Sequence, residues 1–560
     1  MTAKALSRPS DLDAYRRPPG QVMRLERMGS SHPTRLSFLR VLLRRMNVEG
    51  WRFDRPLWDI DAKGVGRAVY RAIGPERTYS LVAFAHDLPD HLRSDRVIAT
   101  AWDATFALFD GTPDAADLDR LEANVPLQEA GRVTARELSL SRANRSVRLY
   151  QHVVDRLSSG LQPDADEIDA VGYLMRTTAV YGSGKFGAAD RAAIADRPEV
   201  SGPFRVEMLS VWLTRAFTVD LAEHVARARG GDRAVRLDPQ LRRRLGVGNS
   251  TGLGMAPFLV RHPVLLNNWM AAREEALARV RALDHATPET VADLRLALTK
   301  ARDNAVTWHS EHTVQQSKLI DLARDLSRIA EHLADFPEGE RPWNQLWLWG
   351  ERTLSLEGQE ALVAIMLEPH GALIDDLAET MAADEVASFT IDGSVRVGDF
   401  LRDLRARYSW ALLKDYGTPD EVARFWYVSA EKLEPRIGER FAEEGAALEQ
   451  PLGIGRLASD MADSLAAFSA EETLAGFLLA HPEHRLMARR VQQSAAHPYA
   501  EIQDNLLAAG MLPIDILRCK LAFFGASHFD PRSDKWVRIS LFKGEPYPDD
   551  LTSPSEAGQR

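Results

Sequence analysis

A chain of 560 residues with 45% hydrophobic and 27% charged residues has the composition of a folded protein, far from the low-hydrophobicity, high-charge signature of disorder. A net charge of −10 argues against a general nucleic-acid binder, which needs clustered Lys and Arg to neutralise phosphates. One cysteine, Cys519, excludes an internal disulfide and any CxxC metal or redox site, no apolar run approaches the ~20 residues that span a bilayer, and the first residues lack the apolar core of a signal peptide; the expectation is a cytoplasmic, soluble protein with no membrane partner.

Residues 1–55 carry 12 Arg plus Lys against 5 Asp plus Glu, which leaves the remainder at −17. Such an arm is expected to pack on an acidic body or on a second copy of the chain, the latter giving a homo-oligomer, with nucleic acid or anionic lipid as the alternative partners of its charge. Leu36, Leu39, Leu42, Leu43 and Met46 keep the spacing of a buried helical face, so residues 1–50 read as a basic arm and a first helix. Ala68–Ala72 and Tyr79–Phe84, joined at Gly74-Pro75, read as a β-hairpin, and Val97–Phe109 adds a strand before the Asp110-Gly111 turn. Residues 51–112 are therefore expected to form a small antiparallel sheet.

Residues 113–385 read as a helical core. Phe204, Met208, Trp212 and Ala216 form one row and Leu209, Leu213, Phe217, Leu221 and Val225 the next, with Pro203 placed at the first helical position. Residues 386–545 read as helical with short strands, one at Ser388–Val397 around an Asp-Gly turn and one at Trp536–Phe542, and residues 546–560 as a frayed tail. The expected fold is mainly α within the α+β class: a multi-helix core, a small antiparallel sheet near the N-terminus and short β elements in the C-terminal third.

Two glycine-rich stretches carry the chemical signal within residues 113–385. The first runs from Arg176 through Tyr181, Gly182, Ser183, Gly184 and Lys185 to Gly187, and the second from Gly246 through Gly248, Asn249, Ser250, Thr251, Gly252 and Gly254 to Pro257. Read as loops beside helices, they offer backbone amides to an anion. The first lacks the spacing of a phosphate-binding P-loop, and the second follows a basic helix end rather than a buried strand, so neither reads as a nucleotide fingerprint. The competing reading is tight helix crossing and C-capping.

His262, just before Pro263, sits where a helix N-terminus favours the neutral imidazole of a general base. His309 and His312 share one helical face, and His481-Pro482-Glu483-His484 and His86 with His91 raise the same suspicion of a metal site, but two ligands do not make a centre without a further carboxylate or histidine from elsewhere. Ser250, Met255 and Pro257 resemble the mobile loop of the all-helical fumarase and aspartase superfamily, although Phe258 to Pro263 stand where that family has Lys and Asn. The resemblance implies lyase chemistry on a small carboxylate.

These residues lead to one expectation: a cofactor-independent enzyme of lyase, hydratase or isomerase type acting by acid–base chemistry on a small anionic metabolite. Tyr181, Lys185 and His262 are the candidate catalytic groups and Arg176, Ser183, Arg205, Asn249, Ser250 and Thr251 the substrate-binding ones; no metal and no cofactor is called for. The alternative is a non-catalytic helical interaction or scaffold protein.

Overall fold

The computed structural model describes residues 12–92, 101–126, 133–177, 194, 196–252, 259, 262–309, 313–382, 389–413, 425–428, 433–437, 448–449, 454–503, 514–526, 528–533 and 536–552. Two compact units are interleaved in the chain: a sheet unit of residues 37–251, 303–313 and 521–560, and a helical unit of residues 1–36, 252–302 and 314–520.

The strands in chain order are β1 (Arg52–Ile60), β2 (Gly66–Ile73), β3 (Thr78–Ala85), β4 (Ala104–Asp110), β5 (Glu137–Arg145), β6 (Tyr173–Thr177), β7 (Gly246–Gly252), β8 (Phe425–Val428), β9 (Leu433–Ile437), β10 (Leu448–Glu449), β11 (His528–Ser533) and β12 (Trp536–Leu541). Nine of them form one sheet in the order β1-β2-β3-β4-β5-β6-β7-β12-β11. The sheet is mixed, since β6 and β7 run parallel while the pairs from β1 to β6 are antiparallel. This corrects the expected small N-terminal sheet. The hairpin β2–β3 and the C-terminal strand lie where their sequences put them, but β5, β6 and β7 fall inside the stretch read as wholly helical. Short apolar runs such as Tyr173–Thr177 cannot be assigned to strand or helix by periodicity, although Leu138-Ser139-Leu140-Ser141 does alternate as a half-buried strand should.

The two faces of this sheet bury different partners. Val69, Val82, Phe84, Ala107, Phe109 and Leu140 pack with Val125 and with Leu121 of the helix Ala115–Asn124, which opens on an Asp114–Asp117 capping box and ends on Val125 as its C-cap. Tyr70, one residue out of phase with Val69, meets Phe217 of the helix Arg205–Gly230, as do Trp58 and Phe106. That alternation follows from the two-residue period of a strand.

The long helix is buried without a break from Met208 to Val219, as expected of an element apolar nearly all round. It begins at Arg205 rather than Pro203, because Phe204 takes a left-handed conformation with φ 58°. Such a backbone is costly for a bulky residue; its ring is held among Phe38, Phe523 and Phe524. Of the tail expected at 546–560, residues 553–560 lie outside the described residues, while the part up to Thr552 holds the short helix Pro548–Thr552. Tyr547 is 1% exposed, its hydroxyl donates to the Arg242 carbonyl, and the Arg215 guanidinium lies 3.7 Å over its ring.

In the helical unit, the helices Pro263–Arg281, Pro342–Thr353 and Leu356–Leu367 pack with one another and bury Trp269, Trp343 and Trp347. A second core joins the helices Val397–Leu412, Ile454–Ala466, Leu474–Ala480 and Arg485–Ala496 through Phe400, Leu404, Tyr408, Met461, Phe477 and Met487. The strand expected at 388–397 reduces to a single bridge, Arg396 to Thr473, ahead of the helix. A three-stranded sheet in the order β10-β8-β9 completes the unit. Among the described residues no helix is long and apolar enough to cross a membrane.

The basic arm meets acidic residues of its own chain. Arg17, 2% exposed, holds Glu274 through two nitrogens at 2.8 and 2.6 Å and Glu360 at 2.5 Å. Arg27 adds Glu360 at 2.9 Å, Arg35 takes Asp375 at 2.6 Å, and Ser30 donates to Glu357, which Arg518 also holds. Arg273 closes the cluster between Glu274 and Glu360.

Candidate functional site

In the sheet unit, the edge strand β1, its neighbour β2 and the second half of the helix Arg205–Gly230 enclose a cleft of about 770 Å³, within the range of small-molecule sites. The helix contributes Leu213, Ala216, Asp220, Glu223, His224 and Arg227, spaced three, four and seven apart so that they share one face. β1 adds Phe53 and Trp58, which line the cleft with Leu213 and Val235 among its apolar residues, and Arg236 and Arg242 come from the segment after the helix.

The floor is a fixed polar network. Tyr70 donates to Asp220 at 2.6 Å and Arg55 donates to the same oxygen at 2.8 Å. Burial, reinforced by the Asp220 charge, pushes the Tyr70 phenol far above its ordinary value, so it serves as a donor and not as a base. The His224 ring accepts from the Trp58 indole at Nδ1 (3.2 Å) while Nε2 meets the Asp61 carbonyl at 2.8 Å. Because an indole only donates, the tautomer with hydrogen on Nε2 is selected, and both nitrogens are engaged.

Glu223 differs from these groups. Burial raises its proton affinity, and the nearby Asp220 charge adds to the rise, against the opposing hydrogen bond from the Leu237 amide. A carboxyl lifted in this way keeps its proton closer to neutrality, as a general acid requires. Arg71 pairs with Asp54 and Arg242 with Asp549, whereas Arg227 and Arg236 are exposed and make no side-chain hydrogen bond or ion pair among the described residues. The cleft therefore places Arg227 and Arg236 beside a carboxyl whose proton affinity burial raises, against the opposing charges of Arg242 and Arg236.

The sequence-derived site residues fall elsewhere. Tyr181, Ser183 and Lys185 lie outside the described residues. Arg176 is in β6 and buried, and Arg205 opens the long helix with a bond to the Pro198 carbonyl. His262 belongs to the helical unit, at the start of the helix Pro263–Arg281. Asn249, Ser250 and Thr251 are not in a loop: they extend β7, with Asn249 opposite Thr177 and Gly248 opposite Arg176. The expected helix end is there, since the helix Pro239–Arg243 stops just ahead of the stretch, but the stretch itself is a strand rather than a loop.

The glycines of β7 have packing roles. A Cβ on Gly246 would lie 2.3 Å from the Leu541 carbonyl oxygen, and one on Gly248 would lie 2.7 Å from the Tyr173 ring and 2.9 Å from Arg176 Cγ. Close approach of backbone and side chains thus accounts for both. The parallel pairing still has a chemical consequence, because the chain leaves β6 at Thr177 and β7 at Gly252 at the same end of two adjacent strands.

Sequence reasoning missed the cleft because its members are scattered over residues 53–71, 213–242 and 548–549. The one available signal was the polar stripe Asp220, Glu223, His224 and Arg227 at helical spacing, which reads equally well as a solvated face. Compared with known protein families, with curated proteins and with solved structures, the chain matches none.

Proposed function

We propose that the sheet unit is an acid–base enzyme for a small anionic metabolite, with its site in the cleft between β1, β2 and the helix Arg205–Gly230. The observation that carries this reading is the placement of Glu223, whose proton affinity burial raises, in one concavity with the exposed Arg227 and Arg236. In it, the two guanidiniums hold the substrate's negative group, Phe53 and Trp58 face its carbon skeleton, and Glu223 delivers or takes a proton. Asp220, tied to Tyr70 and Arg55, keeps the floor rigid. Lyase, hydratase and isomerase chemistry all fit such a set, since each needs one positioned proton carrier and an anion clamp.

The test is a thermal-shift screen of the purified chain against small carboxylates and phosphates, repeated on Arg227→Ala/Arg236→Ala and Glu223→Gln. A ligand at a hundred times its Kd should stabilise the wild type by about 2.7 kcal/mol. The double alanine variant should lose that shift, and Glu223→Gln should keep it while losing turnover. An equal shift in the wild type and the double variant, or none with any anion, would refute the assignment. A non-catalytic interaction protein is the competing reading, favoured by the pairing of Arg55, Arg71 and Arg242 with carboxylates of the chain itself.

A further inference from the structure

The turn between the helices Leu474–Ala480 and Arg485–Ala496 gathers two histidines and a carboxylate. Pro482 ends the first helix after His481, and the single 3-10 turn Pro482–His484 brings His481, Glu483 and His484 onto one side. One ligand atom from each of the three lies within 4.8 Å of the others, the one such grouping among the described residues. Glu483 Oε1 is 3.2 Å from His481 Nδ1 and 4.0 Å from His484 Nε2. A tetrahedral ion with bonds of about 2.0–2.1 Å to N and O sets its ligands roughly 3.4 Å apart, so the observed separations bracket the required one.

The rings are held before any ion arrives. Phe477, fully buried in the core, lies parallel to His484 at 8° and 5.6 Å between centroids, and His481 packs on the same ring at 5.0 Å. On the adjacent helix Ile454–Ala466, Ser464 Oγ lies 2.9 Å from His484 Nε2, the nitrogen nearest Glu483, and would give up that contact when an ion takes the nitrogen. Two imidazoles packed on one aromatic ring, with a carboxylate between them in the turn, are oriented before an ion binds.

We propose that His481, Glu483 and His484 form a binding site for a borderline divalent cation of the zinc class, with one coordination position open to solvent. The donor set of two imidazoles and one carboxylate suits Zn²⁺, Ni²⁺ or Cu²⁺ and disfavours Mg²⁺ and Ca²⁺, which take all-oxygen shells. Glu483, 61% exposed, faces water, while His484 is 8% exposed; the ion would sit at the mouth of the turn and keep a water or a ligand atom there. Binding changes no oxidation state: the cation exchanges waters for two neutral imidazoles and one carboxylate. The ion would tie the turn joining two helices and so stiffen that corner of the second core.

The experiment uses the untagged full-length chain, stripped with a chelator and titrated with Zn²⁺ by calorimetry and with Co²⁺ by visible absorption. The wild type is expected to take up one equivalent, with Co²⁺ d–d bands of a four-coordinate nitrogen–oxygen site. Removing an outer partner from a metal site costs roughly 10- to 100-fold in affinity, so His481→Ala and Glu483→Gln, both at partly exposed positions, should each weaken binding by at least that much without changing the melting temperature of the metal-free protein. His484→Ala should abolish the site. No saturable uptake by the wild type, or identical titrations of the wild type and the two exposed variants, would overturn the proposal.

Discussion

Arg17→Met puts the buried ionic cluster of the helical unit to a direct test. Arg17 is 2% exposed and both its partners, Glu274 and Glu360, are fully buried, so solvent screening does not dilute the effect. Removing one member of a buried pair costs about 3–5 kcal/mol, because the remaining charge is left uncompensated. Glu360 would keep Arg27 and Arg273, and Glu274 would keep only Arg273 at 3.3 Å. The loss should thus fall toward the lower figure, about 3 kcal/mol, whereas Glu360→Gln, which leaves three arginines without their shared anion, should fall toward the upper figure. At 1.4 kcal/mol per factor of ten, 3 kcal/mol raises the opening equilibrium of the arm roughly a hundredfold. Hydrogen exchange read by mass spectrometry is the right assay, because a chain with two compact units need not unfold in one step. Peptides from residues 12–36 should lose protection by about that factor, while those from β2 to β5 keep theirs. Unchanged exchange in the arm of Arg17→Met would refute the claim that this cluster anchors it.

Acid should destabilise the protein in two stages. His32 and His370 are held neutral by burial, each with its proton affinity lowered to about 4, so between about 6.5 and 4 the unfolded chain binds more protons and stability falls as pH falls. Below about 4.3, Glu357 and Glu360, held down against the cost of burial by Arg518 and by Arg17 respectively, add a further loss, since their stabilisation is present only above the unfolded carboxyl value. Melting curves from pH 7.5 to 3.5 should fall through both windows; a flat profile from 6.5 to 4 would contradict the buried neutral histidines. At β7, Gly246→Ala should cost more than Gly248→Ala, within the roughly 1–3 kcal/mol of overpacking, because the added methyl comes within 2.3 Å of a backbone oxygen at Leu541 in one case and meets the side chains of Tyr173 and Arg176 at 2.7 and 2.9 Å in the other. Melting temperatures check the order, and two variants as stable as the wild type would show that packing is not what demands glycine there.

Much of the local structure follows from neighbouring residues alone. The β2–β3 hairpin is written in two β-prone runs around Gly74-Pro75, and the helix Pro263–Arg281 in Pro263 and the spacing of Leu266, Trp269 and Leu277. The stripe from Phe204 to Val225 marks the long helix, and the excess of arginine in the arm implies acidic partners. These features depend on spacing and charge within a dozen or so residues, which is the range over which periodicity speaks.

What tertiary structure decided is which segments meet. Gly246–Gly252 carries no apolar pattern of its own and becomes a strand because β6 on one side and β12 on the other supply its hydrogen bonds. The cleft exists because β1 lies beside Asp220 and Glu223, more than 160 residues further along the chain, and burial there changes the proton affinity of a carboxyl that looks ordinary in sequence. Arg17 and Arg27 likewise look like solvated charges until Glu274 and Glu360 are placed against them. Backbone pairing between distant strands and the desolvation of charge are properties of the assembled chain, and no local window of residues contains them.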